Sequence, residues 1–190
     1  MNGNDLRAVM RTFATGVCLV TTYHDGPDGR QHDAMTANSL LSVSLDPPLI
    51  SLAVRRGSRF LDDLMSSRMW AVSILDASGE ELARPFARDR DSRAGAVTEL
   101  SARPGPATGA LVVGAASWLE CEYRDHLQVG DHTLVIGGVI SVGTPDGHEP
   151  LIFVSGGYHR LGGRSDATRH TRAVAGAARG AARVDGGDAG

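Results

Sequence analysis

The sequence SWLECEYRDHLQVGDHTLVIGGVISV, residues 117–142, carries two β-strand patterns separated by a tight turn. Residues 117–127 alternate between apolar and polar side chains, and the β-branched run that begins at His132 is typical of a second strand. Between them, Val129-Gly130-Asp131 supplies the turn. This stretch therefore predicts a long antiparallel hairpin.

Similar strand and turn signals recur on both sides of this hairpin. A β-branched strand at residues 17–22 is closed by a turn cluster at 25–29, so the strand expected around residues 33–37 returns antiparallel. Three further strands are expected at residues 49–54, 69–75 and 150–155. The first of these three reads as a central strand with an irregular start, because Pro47 and Pro48 precede it.

The strand count predicts the fold class. Seven or so strands, joined mostly by hairpins, favour a mainly β fold with a few short helices. Its architecture is a closed or split antiparallel β-barrel rather than a doubly wound parallel sheet. No Gly-x-Gly-x-x-Gly motif follows a strand, which argues against dinucleotide binding of the Rossmann type.

Short helices are expected only in the first half of the chain. One begins at Asn4, ends near Gly16 and packs one face on the core, with apolar positions at Leu6, Val9, Met10 and Phe13. Ser58 caps a second helix, whose apolar side consists of Phe60, Leu61, Leu64 and Met65.

A third helix is predicted to open with a capping box made by Ser78 and Glu81. Pro85 disturbs this helix, which is expected to end near Phe86. Residues 87–109 then turn charged and Pro/Gly-rich with little periodicity, which predicts a mobile excursion.

Length and composition indicate a single domain. A chain of 190 residues with 42% hydrophobic residues can bury one good core, which we assign to residues 1–162. Residues 163–190 are mostly Ala, Gly and Arg and cannot bury enough apolar surface to offset the cost of ordering. They are predicted to form a disordered tail.

The charges exclude several classes of function. A formal net charge of −3 argues against binding nucleic acid through a basic field. All 19 basic residues are arginine, so a lysine Schiff base or lysine general base is excluded and arginine must bind any phosphate.

Cysteine usage and hydropathy bear on the compartment. Cys18 and Cys121 lie in apolar strand patterns and are expected to be buried, reduced thiols. Charged residues near the N-terminus leave no secretory apolar region, and no apolar run approaches the roughly 20 residues needed to span a bilayer. A cytoplasmic protein is therefore expected.

Polar residues follow the end of the strand at residues 33–37. The side chains of Thr36, Asn38 and Ser39, with exposed backbone N–H groups, can donate hydrogen bonds to one edge of a planar heterocycle. The same pattern is also typical of a turn that satisfies its own backbone. The spacing alone leaves both interpretations open.

A basic cluster, Arg55-Arg56-Gly57-Ser58-Arg59, joins a strand to a helix. Helix N–H groups, the Ser58 hydroxyl and guanidinium groups can converge there on a phosphate. A solvated basic loop is the alternative interpretation.

Histidines and carboxylates offer few other candidates. His132 follows Gly130-Asp131 at a hairpin tip, where its imidazole can face a pocket or serve only as a polar surface group. No histidine, cysteine and carboxylate spacing matches a metal site, so no metal is predicted. No Gly-x-Ser-x-Gly motif supports hydrolase chemistry, and Trp70 and Trp118 read as core aromatics.

Taken in order, several motifs resemble the flavin reductase-like family, which includes the small reductase components of two-component flavin-dependent monooxygenases. The resemblance covers residues 5–161. Its motifs are Phe13-Ala14-Thr15-Gly16-Val17, Met35-Thr36-Ala37-Asn38-Ser39, Ser44-Leu45-Asp46-Pro47-Pro48-Leu49, Trp118-Leu119-Glu120-Cys121, Gly130-Asp131-His132-Thr133 and Tyr158-His159-Arg160-Leu161.

This resemblance implies a split β-barrel that forms a homodimer and binds FMN or FAD near the subunit interface, with NADH or NADPH as hydride donor. It places residues 36–39 at the isoalloxazine edge, residues 53–59 at the ribityl phosphate and His132, as the catalytic residue, near the nicotinamide. The implied cofactor-binding residues are Met35, Thr36, Ala37, Asn38, Ser39, Ser51, Leu52, Ala53, Arg55, Gly57, Ser58, Arg59 and Phe86.

The chain departs from its relatives at two places. Many relatives carry glycine before the Met-Thr-Ala-Asn-Ser run, where this chain has Asp33-Ala34. Relatives often carry a small polar residue after the Ser58-Arg59 pair, where this chain has Phe60. The phosphate contact then rests more on Ser58 and arginine, and the choice between FMN and FAD stays open.

The expected reaction is hydride transfer from nicotinamide C4 to flavin N5, after which reduced flavin dissociates and reaches a partner oxygenase. The reaction needs no acid–base dyad, and none is evident in the sequence. Two alternatives remain: a flavoprotein that keeps FMN and acts directly on an organic substrate, and a flavin carrier or sensor without turnover.

Overall fold

The computed structural model describes residues 3–114, 117–144 and 149–161. The predicted tail at 163–190 and the turn predicted at 145–147 lie outside the described residues. The helices are α1 (Gly3–Met10), α2 (Arg59–Ser67), α3 (Glu80–Phe86) and α4 (Arg90–Thr98). No helix in this part of the chain combines the length and the apolar character needed to cross a membrane.

The strands form one large sheet and two small ones. The large sheet contains β2 (Cys18–Gly26), β3 (Gly29–Ala37), β4 (Leu41–Leu45), β5 (Pro48–Arg55), β6 (Met69–Ile74), β9 (Ser117–Val129) and β10 (His132–Gly143). The small sheets contain β1 (Thr15–Gly16), β11 (Ile152–Val154) and β12 (Gly157–His159), and β7 (Ala102–Pro104) with β8 (Leu111–Val113).

The large sheet is antiparallel, with the strand order β3-β2-β6-β9-β10-β5-β4. Its two edge strands, β3 and β4, are consecutive in the chain and are joined only by residues 38–40. That link can span at most about 14 Å, whereas the edges of a flat seven-stranded sheet lie about 29 Å apart. The sheet is therefore rolled into an incomplete barrel, and the predicted fold class, an antiparallel split β-barrel, is confirmed.

The hairpin predicted at residues 117–142 lies in the middle of the barrel. β9 and β10 pair from His132 opposite Val129 onward, and their outer sides pair with β6 and β5. A register shift follows Ile136, and a Cβ atom added at Gly137 would lie 2.4 Å from the Trp70 ring. Glycine is thus required there, and Trp70 is a fully buried core residue, as predicted.

Helix α2 closes the inside of the barrel. The Ser58 hydroxyl accepts a hydrogen bond from the Leu61 N–H at 3.3 Å, which is the predicted N-cap. The predicted apolar side is buried at Phe60, Leu61 and Leu64, in one cluster with Trp70, Leu52 and Val72.

Helix α1 does not pack on the core, so that prediction is wrong. The helix ends at Met10 and buries none of its residues. Its apolar side chains are exposed by 52% at Leu6, 67% at Val9, 51% at Met10 and 62% at the following Phe13. The amphipathic spacing predicts an apolar helix face that packs against another surface, but it does not show whether that surface belongs to this chain or to another molecule.

The predicted capping box of α3 is also wrong. The N-cap position is Gly79 and has no side-chain hydrogen bond. Instead, the Ser78 hydroxyl and N–H both donate to Asp76 Oδ1, at 2.6 and 2.8 Å. Asp76 thus takes both donors of Ser78 in a local turn. The predicted helix end at Phe86 is confirmed.

Residues 87–109 form regular structure rather than the predicted excursion. They contain α4 and β7, and β7 pairs with β8. The loop that follows is anchored by the buried Glu120 carboxylate, which accepts hydrogen bonds from the N–H groups of Ala107 and Thr108. The charged and Pro/Gly-rich composition of residues 87–109 did not indicate these hydrogen bonds, because their partners lie far away in sequence.

The start of β5 is irregular, as predicted, because its pairing with β4 shifts register between the pair Ser42–Ile50 and the pair Ser44–Leu49. Pro48 lies directly opposite Leu45, so Asp46 and Pro47 form the two-residue turn of a hairpin between β4 and β5. Strand β5 is internal, but it is the second strand from the β4 edge rather than a central one.

Candidate active site

Residues 35–39, which we call the ring-edge segment because residues 36–39 are predicted to lie at the isoalloxazine edge, are located where β3 leaves the sheet. The last paired residue is Ala37, opposite Cys18. The Thr36 hydroxyl donates to the Ala83 carbonyl of α3 at 2.6 Å, and the Ser39 hydroxyl donates to the Ala53 carbonyl of β5 at 3.1 Å. Both hydroxyls therefore fix the segment to other elements, which leaves its backbone and the exposed Asn38 side chain to meet a ligand.

Two cavities flank this segment and share Val17 and Asn38. The larger, about 430 Å³, is mostly apolar and is lined by residues 13–18, residues 38–41 and Ile74. The smaller, about 170 Å³, is lined by Thr36, Ala37, Ala87, Phe153 and Tyr158 besides the shared pair. Thr15, one of the residues lining the larger cavity, has a buried Oγ1 without a hydrogen-bond partner. This combination suits a flat ring system with a few polar edge atoms.

The predicted phosphate segment lies at the start of α2. Ser58 is the N-cap, and its hydroxyl also donates to the Arg55 carbonyl at 2.8 Å. The first N–H groups of α2 have no intrahelical acceptor and point away from the helix start. Arg55, Arg56 and Arg59 are exposed around it, and Gly57 has a positive φ of 70° that lets the chain turn into the helix.

His132 lies beside this basic cluster. It opens β10 opposite Arg55 of β5, so the hairpin tip and the helix start are neighbours. Its Nδ1 is 2.9 Å from Asp131 Oδ1, and this hydrogen bond holds the pKa of the Asp131 carboxyl below its usual value. The Asp131 carbonyl accepts from the Arg56 N–H at 2.9 Å. The imidazole is half exposed and oriented by a carboxylate.

The structure thus brings together most of the predicted site residues. The Ser39 to Ala53 hydrogen bond joins the ring-edge segment to the strand that leads to Ser58. Other predicted residues have buried side chains: Leu52 lies in the core cluster inside the barrel, the adjacent Ser51 is buried on the other face of β5, and Phe86 lies in a second core cluster with Leu19 and Leu75. Contacts of these three residues with a cofactor would have to use the backbone.

Three residues near the site were missed. The Cys18 thiol donates to the Ala37 carbonyl at 3.2 Å and lines the larger cavity. Tyr158 lines the smaller cavity, and burial raises the pKa of its phenol. Arg93 forms a buried ion pair with Asp33, two residues before the ring-edge segment. The closing Tyr-His-Arg-Leu motif was a signal for Tyr158, whereas nothing local marked Cys18 or Arg93.

Both cysteines are buried free thiols, as predicted. Burial raises the pKa of the Cys18 thiol to about 12, and burial with the neighbouring Glu120 carboxylate raises that of Cys121 to about 12. At neutral pH neither thiol provides a nucleophile, so Cys18 contributes only a hydrogen bond to the site.

Comparison with known proteins assigns this chain to a family. The model of the flavin reductase like domain matches residues 10–162. The flavin reductase (NADH) of Kitasatospora aureofaciens is 34% identical over 163 residues, 84% of this chain and 82% of that protein. The NADH-dependent FAD reductase of Streptomyces globisporus is 36% identical over 168 residues, 86% of this chain and 88% of that protein.

Solved structures agree with this assignment. The Streptomyces globisporus C-1027 NADH:FAD oxidoreductase SgcE6, in complex with NAD and FAD fragments, is 32% identical with a TM-score of 0.77, covering 86% of this chain and 94% of that one. BorF, the flavin reductase component of a bacterial two-component tryptophan halogenase, is 33% identical with a TM-score of 0.74, covering 86% and 100%. The chain belongs to the flavin reductase-like family, which confirms the resemblance drawn from its motifs.

Proposed function

We propose that this protein is an NAD(P)H:flavin oxidoreductase that transfers hydride to FMN or FAD and supplies the reduced flavin to a partner monooxygenase. Relatives and structural neighbours described as NADH-dependent flavin reductases and as reductase components of two-component systems support this function. The observation that carries it is the Ser39 to Ala53 hydrogen bond, which makes one continuous site from the ring-edge segment and the phosphate segment.

The residues present fit a flavin mononucleotide unit. A cavity of about 430 Å³ adjoins the ring-edge segment. Strand β5, which accepts the Ser39 hydrogen bond at Ala53, leads to the start of α2, where helix N–H groups and arginines can bind an anion. Ser58, the first N–H groups of α2 and the surrounding arginines would hold the phosphate. The bound flavin supplies the hydride acceptor of the reaction.

The chain itself positions and stabilises rather than transferring protons. Thr36 and Ser39 commit their hydroxyl hydrogens to carbonyls, so backbone N–H groups of residues 38–40 are the donors we assign to the ring edge. Their fixed positions favour the negative charge that develops on that edge during hydride transfer. We assign His132, oriented by Asp131, to the nicotinamide side.

Homodimer formation is part of the proposal. The exposed apolar side of α1 continues at Phe13 into the wall of the larger cavity. A second copy covering this face would remove apolar surface from water and complete the cavity. Light scattering tests it, and a monomer mass at micromolar concentration would contradict it.

Two buried free thiols support our assignment to the cytoplasm, which fractionation of the producing cells would test.

Stopped-flow mixing of NADH or NADPH with flavin-loaded protein tests the proposed activity. The flavin band at about 450 nm is expected to bleach with at least one nucleotide because hydride transfer removes the oxidised chromophore. Absence of bleaching with both nucleotides would reject the proposal. Gel filtration adds the second distinction: stoichiometric co-elution of flavin would favour a protein that retains FMN over one that releases it.

Replacement of His132 by alanine is expected to lower kcat/KM for the nicotinamide nucleotide about tenfold, the effect of one lost hydrogen bond to the substrate. The Kd for flavin should change less than about threefold, since His132 is assigned to the other substrate. His126→Ala is the matched control, because His126 is exposed on the same hairpin and contacts Tyr123. Equal losses in both variants would contradict the assignment.

A further inference from the structure

A cluster of charged residues lies behind the ring-edge segment and is not explained by the proposed chemistry. It consists of Asp33, Asp63, Arg90 and Arg93, which we call the Asp33 cluster. Arg93 pairs with Asp33 through two hydrogen bonds, Nε to Oδ1 and Nη2 to Oδ2, both at 3.1 Å. Only 2% of Asp33 and 8% of Arg93 are exposed. A buried bidentate pair of this kind fixes the relative geometry of the two elements that carry it.

Arg90 extends the cluster to helix α2. Its Nη1 is 2.8 Å from Asp63 Oδ2 and 3.5 Å from Asp33 Oδ2, so one guanidinium group lies between the two carboxylates. His24 Nδ1 approaches the other oxygen of Asp63 at 3.3 Å. The cluster therefore connects three elements: β3 through Asp33, α2 through Asp63 and α4 through both arginines.

Both carboxylates lie close in sequence to the parts of the flavin site. Asp33 precedes the ring-edge segment by two residues, and its Oδ1 also accepts from the Ala34 N–H at 2.8 Å. Asp63 lies five residues after the N-cap Ser58, about 7.5 Å along the helix. The cluster thus ties the strand that carries the ring-edge segment to the helix that carries the phosphate segment.

We propose that Asp33 and Arg93, together with Arg90, are positioning residues that set the separation between the ring-edge segment and the start of α2. The inference rests on the proposed function, because it assumes that flavin bridges these two segments. A flavin that binds both segments at once must restrict their relative motion, and this restriction costs binding free energy. Loosening the cluster increases that motion and therefore weakens flavin binding.

Asp33→Asn tests the proposal, because it removes the charge and keeps the shape of the side chain. If the competent arrangement falls to about a tenth of the population, the Kd for FMN rises about tenfold. Fluorescence quenching of FMN measures this Kd without turnover. The KM for NADH at saturating flavin is expected to stay within about twofold of the wild type, since the nicotinamide side does not depend on the cluster. A general loss of folded protein would lower total activity without raising the Kd for FMN selectively over the KM for NADH.

Asp25→Asn is the matched control. Asp25 lies on the same β2–β3 hairpin and has a bidentate partner, Arg30, with contacts at 2.8 and 3.0 Å. This pair is exposed and lies at the other end of the hairpin from the ring-edge segment. Its Kd for FMN is expected to equal that of the wild type. A conservative variant, Arg93→Lys, keeps the charge and loses the bidentate geometry, so it should raise the Kd by about threefold.

The outcomes separate the two hypotheses. A Kd for FMN within twofold of the wild type in both Asp33→Asn and Arg93→Lys overturns the positioning role, and so does an equal rise in Asp25→Asn. Where Asp33→Asn does not fold, Arg93→Lys decides alone. Wild-type protein that binds FMN but oxidises neither NADH nor NADPH overturns the proposed function, and the Kd comparison still judges the cluster.

Discussion

Substitution of Ser58 by aspartate is expected to raise the Kd for FMN about 100-fold and to leave riboflavin binding within about twofold, because two like charges about 4 Å apart near a protein surface repel by several kcal/mol. Aspartate is itself a good N-cap, so α2 should keep its start and the fold should be retained. The same carboxylate would occupy the place at the helix start that we assign to the phosphate. Titration of each ligand by fluorescence quenching measures the effect.

The matched control for this experiment is Ser66→Asp. Ser66 is exposed in the last turn of the same helix, so the substitution changes net charge equally at a distance from the helix start. FMN binding is expected to be unaffected there. If Ser58→Asp and the wild type bind FMN equally, the phosphate does not bind at the start of α2 and the orientation proposed for the flavin is wrong.

Alkaline pH is expected to destabilise the protein strongly through its two buried thiols. Each thiol has a pKa of about 12 in the folded chain against 9.0 unperturbed. Because the folded pKa is raised, the stabilising contribution is complete below pH 9 and is lost progressively between pH 9 and about 12. At about 1.4 kcal/mol per pKa unit the loss approaches roughly 4 kcal/mol per thiol at the upper end.

Urea unfolding measured at several pH values above 8 checks this prediction. The chain contains no lysine, so the tyrosines are the main other side chains that titrate in this range. A Cys18→Ala/Cys121→Ala variant is expected to start from lower stability but to show a clearly shallower decline above pH 9. Equal slopes in the two proteins would show that the thiols do not control alkaline stability.

Iodoacetamide should likewise label the native protein far more slowly than the urea-unfolded protein at pH 8.

The hairpins were predictable because their signals are local. Alternating side chains, β-branched runs and turn residues lie within a few positions of each other in β2–β3 and in β9–β10. The Ser58 cap was equally visible, since a capping residue precedes its own helix. The barrel was predicted from the strand count and the family resemblance, but the order in which its strands pair was not, because that order depends on contacts between residues far apart in sequence.

Helix α4 was not predicted because the contacts that stabilise it involve residues far away in sequence. Residues 87–109 were predicted to be a charged excursion with little periodicity, but Arg93 of this segment pairs with Asp33, 60 residues away in sequence. The ring-edge segment lies at the end of a strand, as its sequence indicated, and its contact with a flavin ring stays a prediction. Thr36 and Ser39 were expected to donate to the ligand, whereas their hydroxyls donate to carbonyls of α3 and β5.

The central position of the β9–β10 hairpin has a consequence for how the protein is made. Until residues 117–143 have left the ribosome, β6 and β5 each present an open edge, because their partners β9 and β10 do not yet exist. The strands before them form two separate groups, β3-β2-β6 and β5-β4. This hairpin joins the two groups, so the nascent chain gains a cooperative barrel only after the hairpin has been synthesised and His132 lies beside Arg55.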